Sequence, residues 1–185
     1  MIVHIGTNSV ETIRLLLRRF TTEDVEDMFY NWAGDEETCR FLSWGPHQNM
    51  DVTWRRVNSL IRNYAYQNTY HWAICLKDSN MAIGSVSVEI FNDKELSCEV
   101  GYCIGREYWN QGLMTEALRA VIHYLFFDVG YHKVTARHDV MNVASGRVMQ
   151  KCGMKFEKII PHAGLRRDGK YYDCAFYGRS IEEKD

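Results

Sequence analysis

The fold of this chain is decided by residues 99–130, EVGYCIGREYWNQGLMTEALRAVIHYLFFDVG, together with KVTARHDV at 133–140 and NVASGRVMQKCGM at 142–154. The first stretch opens with a strand pattern and closes with apolar residues at helical spacing, which predicts a strand, a loop and an amphipathic helix. The second stretch predicts a strand, and the third a helix with Gly153 just past its C-terminus. This order predicts a parallel strand pair joined by a crossover helix.

The loop Trp109–Thr115 lies where the central helix is expected to begin. The first N–H groups of a helix have no intrahelical acceptor, and they lie at the positive end of its dipole. A phosphate can bind there without a cationic side chain, and Gly112 has no Cβ to obstruct the approach. An ordinary helix entry is the alternative interpretation. The absence of GxxxxGK[ST] and GxGxxG argues against a nucleotide P-loop and a dinucleotide fold.

The order and spacing of these elements resemble the acetyl-CoA-binding core of the GNAT N-acetyltransferases. The opening TIRLLLRRFTTEDVEDMFYNWAGDEETCRFLSWGPH at 12–47 looks like the RimJ/RimL subgroup, which acetylates protein N-termini and various other amines. RRDGKYYDCAFYGRS at 166–180 resembles the closing strands of the family. The resemblance covers nearly the whole chain from about Thr12, and it implies one domain over residues 1–185.

The expected fold is a three-layer α+β domain, with a mixed, largely antiparallel central sheet and helices on both faces. Period-two patterns and turn residues predict strands, at 12–20, 70–76, 81–91, 96–105, 133–138, 156–160 and 171–179. Helical spacing predicts helices, ending at Gly34 and spanning 36–42, 51–66, 115–127 and 143–152. Residues 1–11 precede these elements and are expected to be disordered or loosely attached.

The resemblance implies which residues bind acetyl-CoA as the co-substrate. In the family, a strand edge pairs with the pantetheine arm, a Gly-containing loop binds the pyrophosphate through its backbone, and an Asn beginning the next helix contacts the cofactor. Trp109 and Met114 depart from the family pattern Gln/Arg-x-x-Gly-x-Gly/Ala in that loop. The cofactor candidates are Tyr102, Cys103, Ile104, Gln111, Gly112, Leu113, Met114, Thr115, Asn142 and Ser145.

The resemblance also implies a base and a proton donor. Related enzymes use an acid near Glu99 to deprotonate the ammonium, often through water; a solvent-facing or ion-paired strand residue is the alternative. Many members place a Tyr seven residues after the helix-capping Asn as the acid for the leaving thiolate. That position is Met149 here, which has no proton to donate. Ser145 becomes a candidate proton relay or thiol contact, and water or no acid at all stays open.

The acceptor is expected to bind near the aromatic loop at 43–47. By resemblance this loop lies beside the acceptor site, so Trp44, His47 and Glu99 are the substrate-binding candidates; a packed turn is the other interpretation. His47, His71, His138 and Asp173 are weaker candidates for the base. Histidines without metal-ligand spacing predict no metal site.

Composition excludes several other classes of protein. A chain of 185 residues with 46% hydrophobic residues predicts one globular domain, and a net charge of −2 does not call for nucleic acid. No apolar run is long enough for a membrane span, and the start does not resemble a signal peptide. Six cysteines without a CxxC pair indicate free thiols and a cytoplasmic location. Cys98 and Cys103 should face opposite sides of one strand.

Two classes of function remain. The first is an acetyl-CoA-dependent N-acetyltransferase acting on a protein N-terminal amine or a small amine. The second is a non-catalytic acyl-CoA-binding or sensing protein on the same scaffold, which Met149 favours. A homodimer is expected, because many relatives self-associate.

Overall fold

The computed structural model describes residues 1–166 and 169–181, which form one eight-stranded sheet and five α-helices. The strands are β1 Val10–Glu11, β2 Leu15–Arg18, β3 His71–Leu76, β4 Ala82–Asn92, β5 Ser97–Ile104, β6 Lys133–Asp139, β7 Lys155–Leu165 and β8 Tyr171–Ser180. The helices are α1 Asp24–Met28, α2 Glu36–Cys39, α3 Met50–Asn63, α4 Leu113–Tyr124 and α5 Val143–Lys151. Single π-helical turns extend α1 over Phe29–Ala33 and α4 over Leu125–Val129. The predicted loop at 166–169 includes Arg167 and Asp168, which lie outside the described residues.

The sheet has the order β1-β2-β3-β4-β5-β6-β8-β7. Every neighbouring pair in the described sheet is antiparallel except β5 with β6, the pair joined by α4. The predicted mixed, largely antiparallel α+β fold is therefore confirmed, and so is its single parallel pair.

Two hydrophobic cores lie on opposite faces of the sheet. Because strand side chains alternate, Trp72 and Ile74 of β3 face α4, whereas Ala73 and Cys75 face α1 and α3. Cys98 belongs to the first core, and Cys103 packs against the second, as predicted for two residues five apart. Layers of helix, sheet and helix result.

Element boundaries differ from the sequence prediction at the first strand, at α4, at β7, which extends to Leu165 instead of 160, and at α2 and α3, which end three residues early. The strand expected over 12–20 is β2 alone, because Thr12 closes a turn with Leu15 that starts the short β1–β2 hairpin. Helix α4 begins two residues earlier than predicted. Its cap is Gly112, whose φ of 75° is left-handed, a conformation open to glycine and costly for other residues.

The first eleven residues are fixed against the sheet, which differs from the expectation of a loosely attached segment. Thr7 donates its hydroxyl to Thr69 O at 2.8 Å and accepts the His71 N–H at 2.9 Å. The buried Trp72 indole donates to Asn8 O at 2.7 Å. Polar residues in this segment satisfy buried groups of β3, a role that polar composition alone did not reveal.

None of the helices described is long and apolar enough to cross a membrane.

Candidate active site

The site begins where β5 and β6 separate. The two strands pair only from Ser97 to Glu99 on β5, opposite Lys133 to Thr135 on β6. Beyond this point β6 stays paired with β8, while β5 stays paired with β4. The edge of β5 after Glu99 is therefore free of a strand partner among the described residues, and a free edge can accept an extended ligand.

The loop before α4 presents its N–H groups as the sequence predicted. The first helical bond runs from Glu116 N to Gly112 O at 3.0 Å, so the N–H groups of residues 113–115 have no acceptor in the described structure. The Glu116 carboxylate accepts the Arg14 guanidinium at 2.7 Å, and Arg14 also donates to Gln111 O at 3.0 Å. These contacts fix the loop, and Arg14 balances an acid that would otherwise repel a phosphate.

A cavity of about 490 Å³ connects this loop with β5 and α5. Most of the predicted cofactor residues line it, namely Tyr102, Cys103, Ile104, Gly112, Met114, Thr115, Asn142 and Ser145. Gln111 and Leu113 do not. The Leu113 side chain is buried in the core, and the Gln111 amide donates to Glu107 O at 2.7 Å.

A second cavity of about 580 Å³ lies on the side of the sheet covered by α1 and α3. The predicted acceptor residues Trp44, His47 and Glu99 all line it. The two cavities share Tyr102, Cys103, Asn142 and Ser145, as well as Phe41 and Leu42 above them. A ligand in one cavity can thus reach a ligand in the other through a junction beside the free edge of β5.

Comparison with known proteins identifies the family of the chain. The acetyltransferase (GNAT) domain family matches residues 14–155. The chain belongs to this family. The chain is 27% identical to the uncharacterized N-acetyltransferase YoaA of Bacillus subtilis, over 91% of this chain and 94% of that protein. The fold matches a GNAT-family acetyltransferase from Bacillus anthracis with a TM-score of 0.82 and 23% identity, covering 95% and 100% of the two chains.

A further structural match is the microcin C7 self-immunity acetyltransferase MccE, solved with acetyl-CoA and AMP. Its TM-score is 0.81 at 19% identity, covering 92% of this chain and 94% of that one, so the likeness concerns the fold. As a GNAT protein, the chain is an acyltransferase with acetyl-CoA as its co-substrate. The 490 Å³ cavity offers a free strand edge and the N–H groups of a helix start that has no side-chain cap.

Glu99 is a largely buried carboxylate at the point where β5 and β6 separate. Its side chain is only 12% exposed, and its carboxylate accepts Arg137 Nε at 3.1 Å. Burial raises the pKa of Glu99; Arg137 opposes that rise, and neighbouring Glu89 adds to it. A base with a raised pKa holds a proton more readily after taking it from an ammonium.

Glu89 lines the 580 Å³ cavity, called the acceptor cavity here after the predicted acceptor residues, and the sequence analysis did not single it out. It is the extra residue in a β-bulge of β4, between the pairs Val88–Val100 and Ile90–Glu99. Its carboxylate accepts the Ser87 hydroxyl. A Cβ on Gly101 would lie 3.0 Å from Glu89 Cγ, so the glycine leaves room for this side chain. The signal was available in the alternation Ser85, Ser87, Glu89, which marks one polar face on an otherwise apolar strand.

Tyr102 and Ser145 form a hydroxyl pair at the junction of the cavities. Tyr102 OH donates to Ser145 O at 2.9 Å and lies 2.9 Å from Ser145 Oγ. Burial raises the pKa of Tyr102 above its ordinary value, and the bond to Ser145 partly offsets this. Met149, at the position of the usual family Tyr, is buried in the core. This acetyltransferase therefore carries a tyrosine hydroxyl near Ser145, supplied by β5 instead of α5.

Asn142 caps α5, and its side-chain oxygen accepts the Ser145 N–H at 3.3 Å. The amide NH₂ of Asn142 has no acceptor among the described residues and lines both cavities. The capping role and the cofactor contact predicted from the family are therefore compatible, because they use different atoms.

Two of the histidines offered as alternative bases, His47 and His71, have lowered pKa values. Burial lowers the pKa of His71 to about 3, with a smaller contribution from Arg56. Burial also lowers the pKa of His47, whose Nδ1 lies 2.8 Å from Thr53 Oγ1. His138 Nδ1 donates to Asp139 O at 2.7 Å. Asp173, the fourth alternative, accepts the His162 N–H at 2.9 Å and does not line the acceptor cavity.

Proposed function

We propose that this enzyme transfers an acetyl group from acetyl-CoA to a primary amine by direct attack in a ternary complex. The acceptor is a protein N-terminal α-amine or a small-molecule amine. The observation that carries the proposal is the junction of the two cavities at Tyr102, Cys103, Asn142 and Ser145. Holding two reactants at one junction supplies much of the acceleration of a bimolecular reaction.

Each residue then has a defined task. Glu99 takes a proton from the acceptor ammonium, either directly or through water, so that a neutral amine attacks the thioester carbon. Backbone N–H groups on the free edge of β5 stabilise the negative charge that develops on the carbonyl oxygen. A C–N bond forms and the C–S bond breaks. The Tyr102–Ser145 pair donates a hydrogen bond to the departing thiolate, which is protonated there or by water.

The alternative, a non-catalytic acyl-CoA-binding protein, rested on Met149. Tyr102 weakens that argument, because it brings a proton donor to Ser145 from another element. A raised pKa at Glu99 has no evident use in a protein that only binds a thioester.

Thiol release from acetyl-CoA across a panel of peptides and small amines tests the proposal. We expect acceptor-dependent release by the wild-type protein. Glu99→Gln should lower kcat/KM by about 10²-fold or more at neutral pH, the usual effect of a positioned base. The loss should shrink at alkaline pH, where free amine is abundant, while the affinity for acetyl-CoA stays nearly unchanged.

Glu95→Gln is the matched control, because Glu95 is exposed and lines neither cavity. If Glu99→Gln keeps wild-type rates from about pH 6 to 9, Glu99 is a structural residue and ordered water or Glu89 must be considered as the base. If no amine in the panel causes thiol release from acetyl-CoA, the result favours the alternative, a non-catalytic acyl-CoA-binding protein. Membership of the RimJ/RimL subgroup stays a prediction, as does the homodimer.

A further inference from the structure

The charges that face the acceptor cavity identify the class of acceptor, provided the proposed amine acetylation is correct. The cavity is lined by three carboxylates, Glu89, Glu99 and Asp139, and by two guanidinium groups, Arg56 and Arg137. Glu99 is paired with Arg137 at 3.1 Å, and Asp139 accepts Arg166 Nε at 3.1 Å. These two acids are therefore balanced by cations of the protein itself.

The remaining two charges have no counter-ion. Among residues 1–166 and 169–181, no cation lies within 4.0 Å of the Glu89 carboxylate, and no carboxylate lies within that distance of the Arg56 guanidinium. Glu89 belongs to the sheet floor of the cavity and Arg56 to α3 in its helical wall. A ligand that spans from floor to wall therefore meets a free anion at one end and a free cation at the other.

A second observation lies at the helical wall. Trp32 is fully buried, lines the cavity, and its indole N–H has no acceptor among the described residues. A buried donor without a partner is costly and calls for an explanation. Trp32 adjoins Ala33, whose carbonyl accepts the His47 N–H at 2.7 Å. Arg56 and His47 both line the cavity.

Arg56 and Trp32 both line the cavity, and neither donor has a partner among the described residues. We propose that the acceptor is an amine that also carries an anionic group, a carboxylate or a phosphate. Arg56 and the Trp32 N–H bind the anion, and the amine lies on the sheet floor beside Glu89 and Glu99. Charge-assisted bonds to a guanidinium suit both kinds of anion. A polyamine is disfavoured, because its second ammonium would meet Arg56.

Matched acceptor pairs test this. One arm compares an α-amino acid with its carboxamide, and the other compares an aminoalkyl phosphate with the parent amino alcohol. We expect the wild-type enzyme to prefer the anionic member of at least one pair by roughly 10- to 10²-fold in kcat/KM, the usual effect of one charge-assisted bond. The arm with the larger preference distinguishes carboxylate from phosphate.

Arg56→Gln should remove the preference mainly through KM, and Arg56→Lys should restore part of it. Arg55→Gln is the matched control, because Arg55 is exposed on α3 as Arg56 is but does not line the cavity. Trp32→Phe should also weaken the preference, since it removes the N–H and keeps an aromatic ring. A wild-type enzyme that acetylates the neutral members equally well would overturn the inference, as would an Arg56→Gln enzyme that keeps the preference.

Binding of the same pairs, measured by calorimetry without acetyl-CoA, separates this inference from the proposed function. Anion-selective binding that depends on Arg56 in a protein without turnover would refute amine acetylation and retain the anion site. Equal binding of the anionic and neutral members of each pair, together with equal turnover of both, would refute the anion site and leave the proposed acetylation intact.

Discussion

The hydroxyl pair between Tyr102 and Ser145 makes the most specific prediction about chemistry. Tyr102→Phe removes a hydroxyl that lies 2.9 Å from Ser145 Oγ and keeps the aromatic ring. In the proposed mechanism this hydroxyl orients and polarises Ser145 toward the departing thiolate. A hydrogen bond between neutral groups contributes about 0.5–1.5 kcal/mol, so kcat should fall by roughly 2- to 10-fold.

The pH dependence distinguishes this effect from loss of the base. Because burial keeps the pKa of Tyr102 well above neutrality, its hydroxyl stays a neutral donor across the assay range. The loss in Tyr102→Phe should therefore be constant from about pH 6 to 9, whereas the loss in Glu99→Gln shrinks as pH rises. Ser145→Ala should lower kcat modestly and keep the same shape of profile.

The assay is thiol release with one good acceptor, alongside the affinity for acetyl-CoA measured by calorimetry. Tyr108→Phe serves as control, because Tyr108 lines the cofactor cavity without contacting Ser145. A Tyr102→Phe enzyme with wild-type kcat would refute the relay, and so would a loss that appears only as weaker acetyl-CoA binding.

Four further outcomes are expected. Acetyl-CoA should raise Tm by mass action, and Gly112→Ala should abolish this rise. Gly6→Ala is the control, because Gly6 has a similar φ of 71°, and it should keep the rise in Tm. A folded Gly112→Ala protein whose Tm still rises would contradict the phosphate loop. Titration of freshly prepared, denatured and unreduced protein should find six free thiols, and four or fewer would contradict the expected cytoplasmic location. The exposed apolar side chains on edge strand β7 favour a homodimer, which light scattering would exclude by showing only a 21.7 kDa species at high concentration. His71 is neutral in the folded state and binds a proton in the unfolded state. The free energy of unfolding should therefore decrease as the pH is lowered from about 6.5 to 3, by up to about 1.4 kcal/mol per pH unit. His71→Gln should reduce this slope, and the control His132→Gln, at an exposed histidine, should not.

The sheet and its helices were predictable because periodicity and turn residues report local structure directly. The parallel pair around α4 followed from the order of elements, and the loop before that helix followed from Gly112. Trp44, His47 and Glu99 line one cavity, and their role in binding the acceptor stays a prediction. These features depend on short segments of sequence.

The remaining features depend on contacts between distant segments. Arg56 belongs to a surface pair by sequence, and Trp32 belongs to a core stripe. Neither pattern reveals that both side chains line one cavity, because that depends on how α3 packs against the turn after α1. Tyr102 reaches Ser145 across 43 residues of sequence, and no local pattern on β5 indicates that contact.

The separation of β5 from β6 also affects how the whole sheet holds together. Strands β1 to β5 are joined to β6, β8 and β7 by three residue pairs, Ser97–Lys133, Cys98–Val134 and Glu99–Thr135. A thioester that pairs with the free edge of β5 acts as a temporary strand and adds hydrogen bonds beside the short β5–β6 pairing. Its binding energy then adds to the resistance of the folded state against unfolding. The lifetime of this protein in a cell would therefore follow the local supply of acyl-CoA as well as its own sequence.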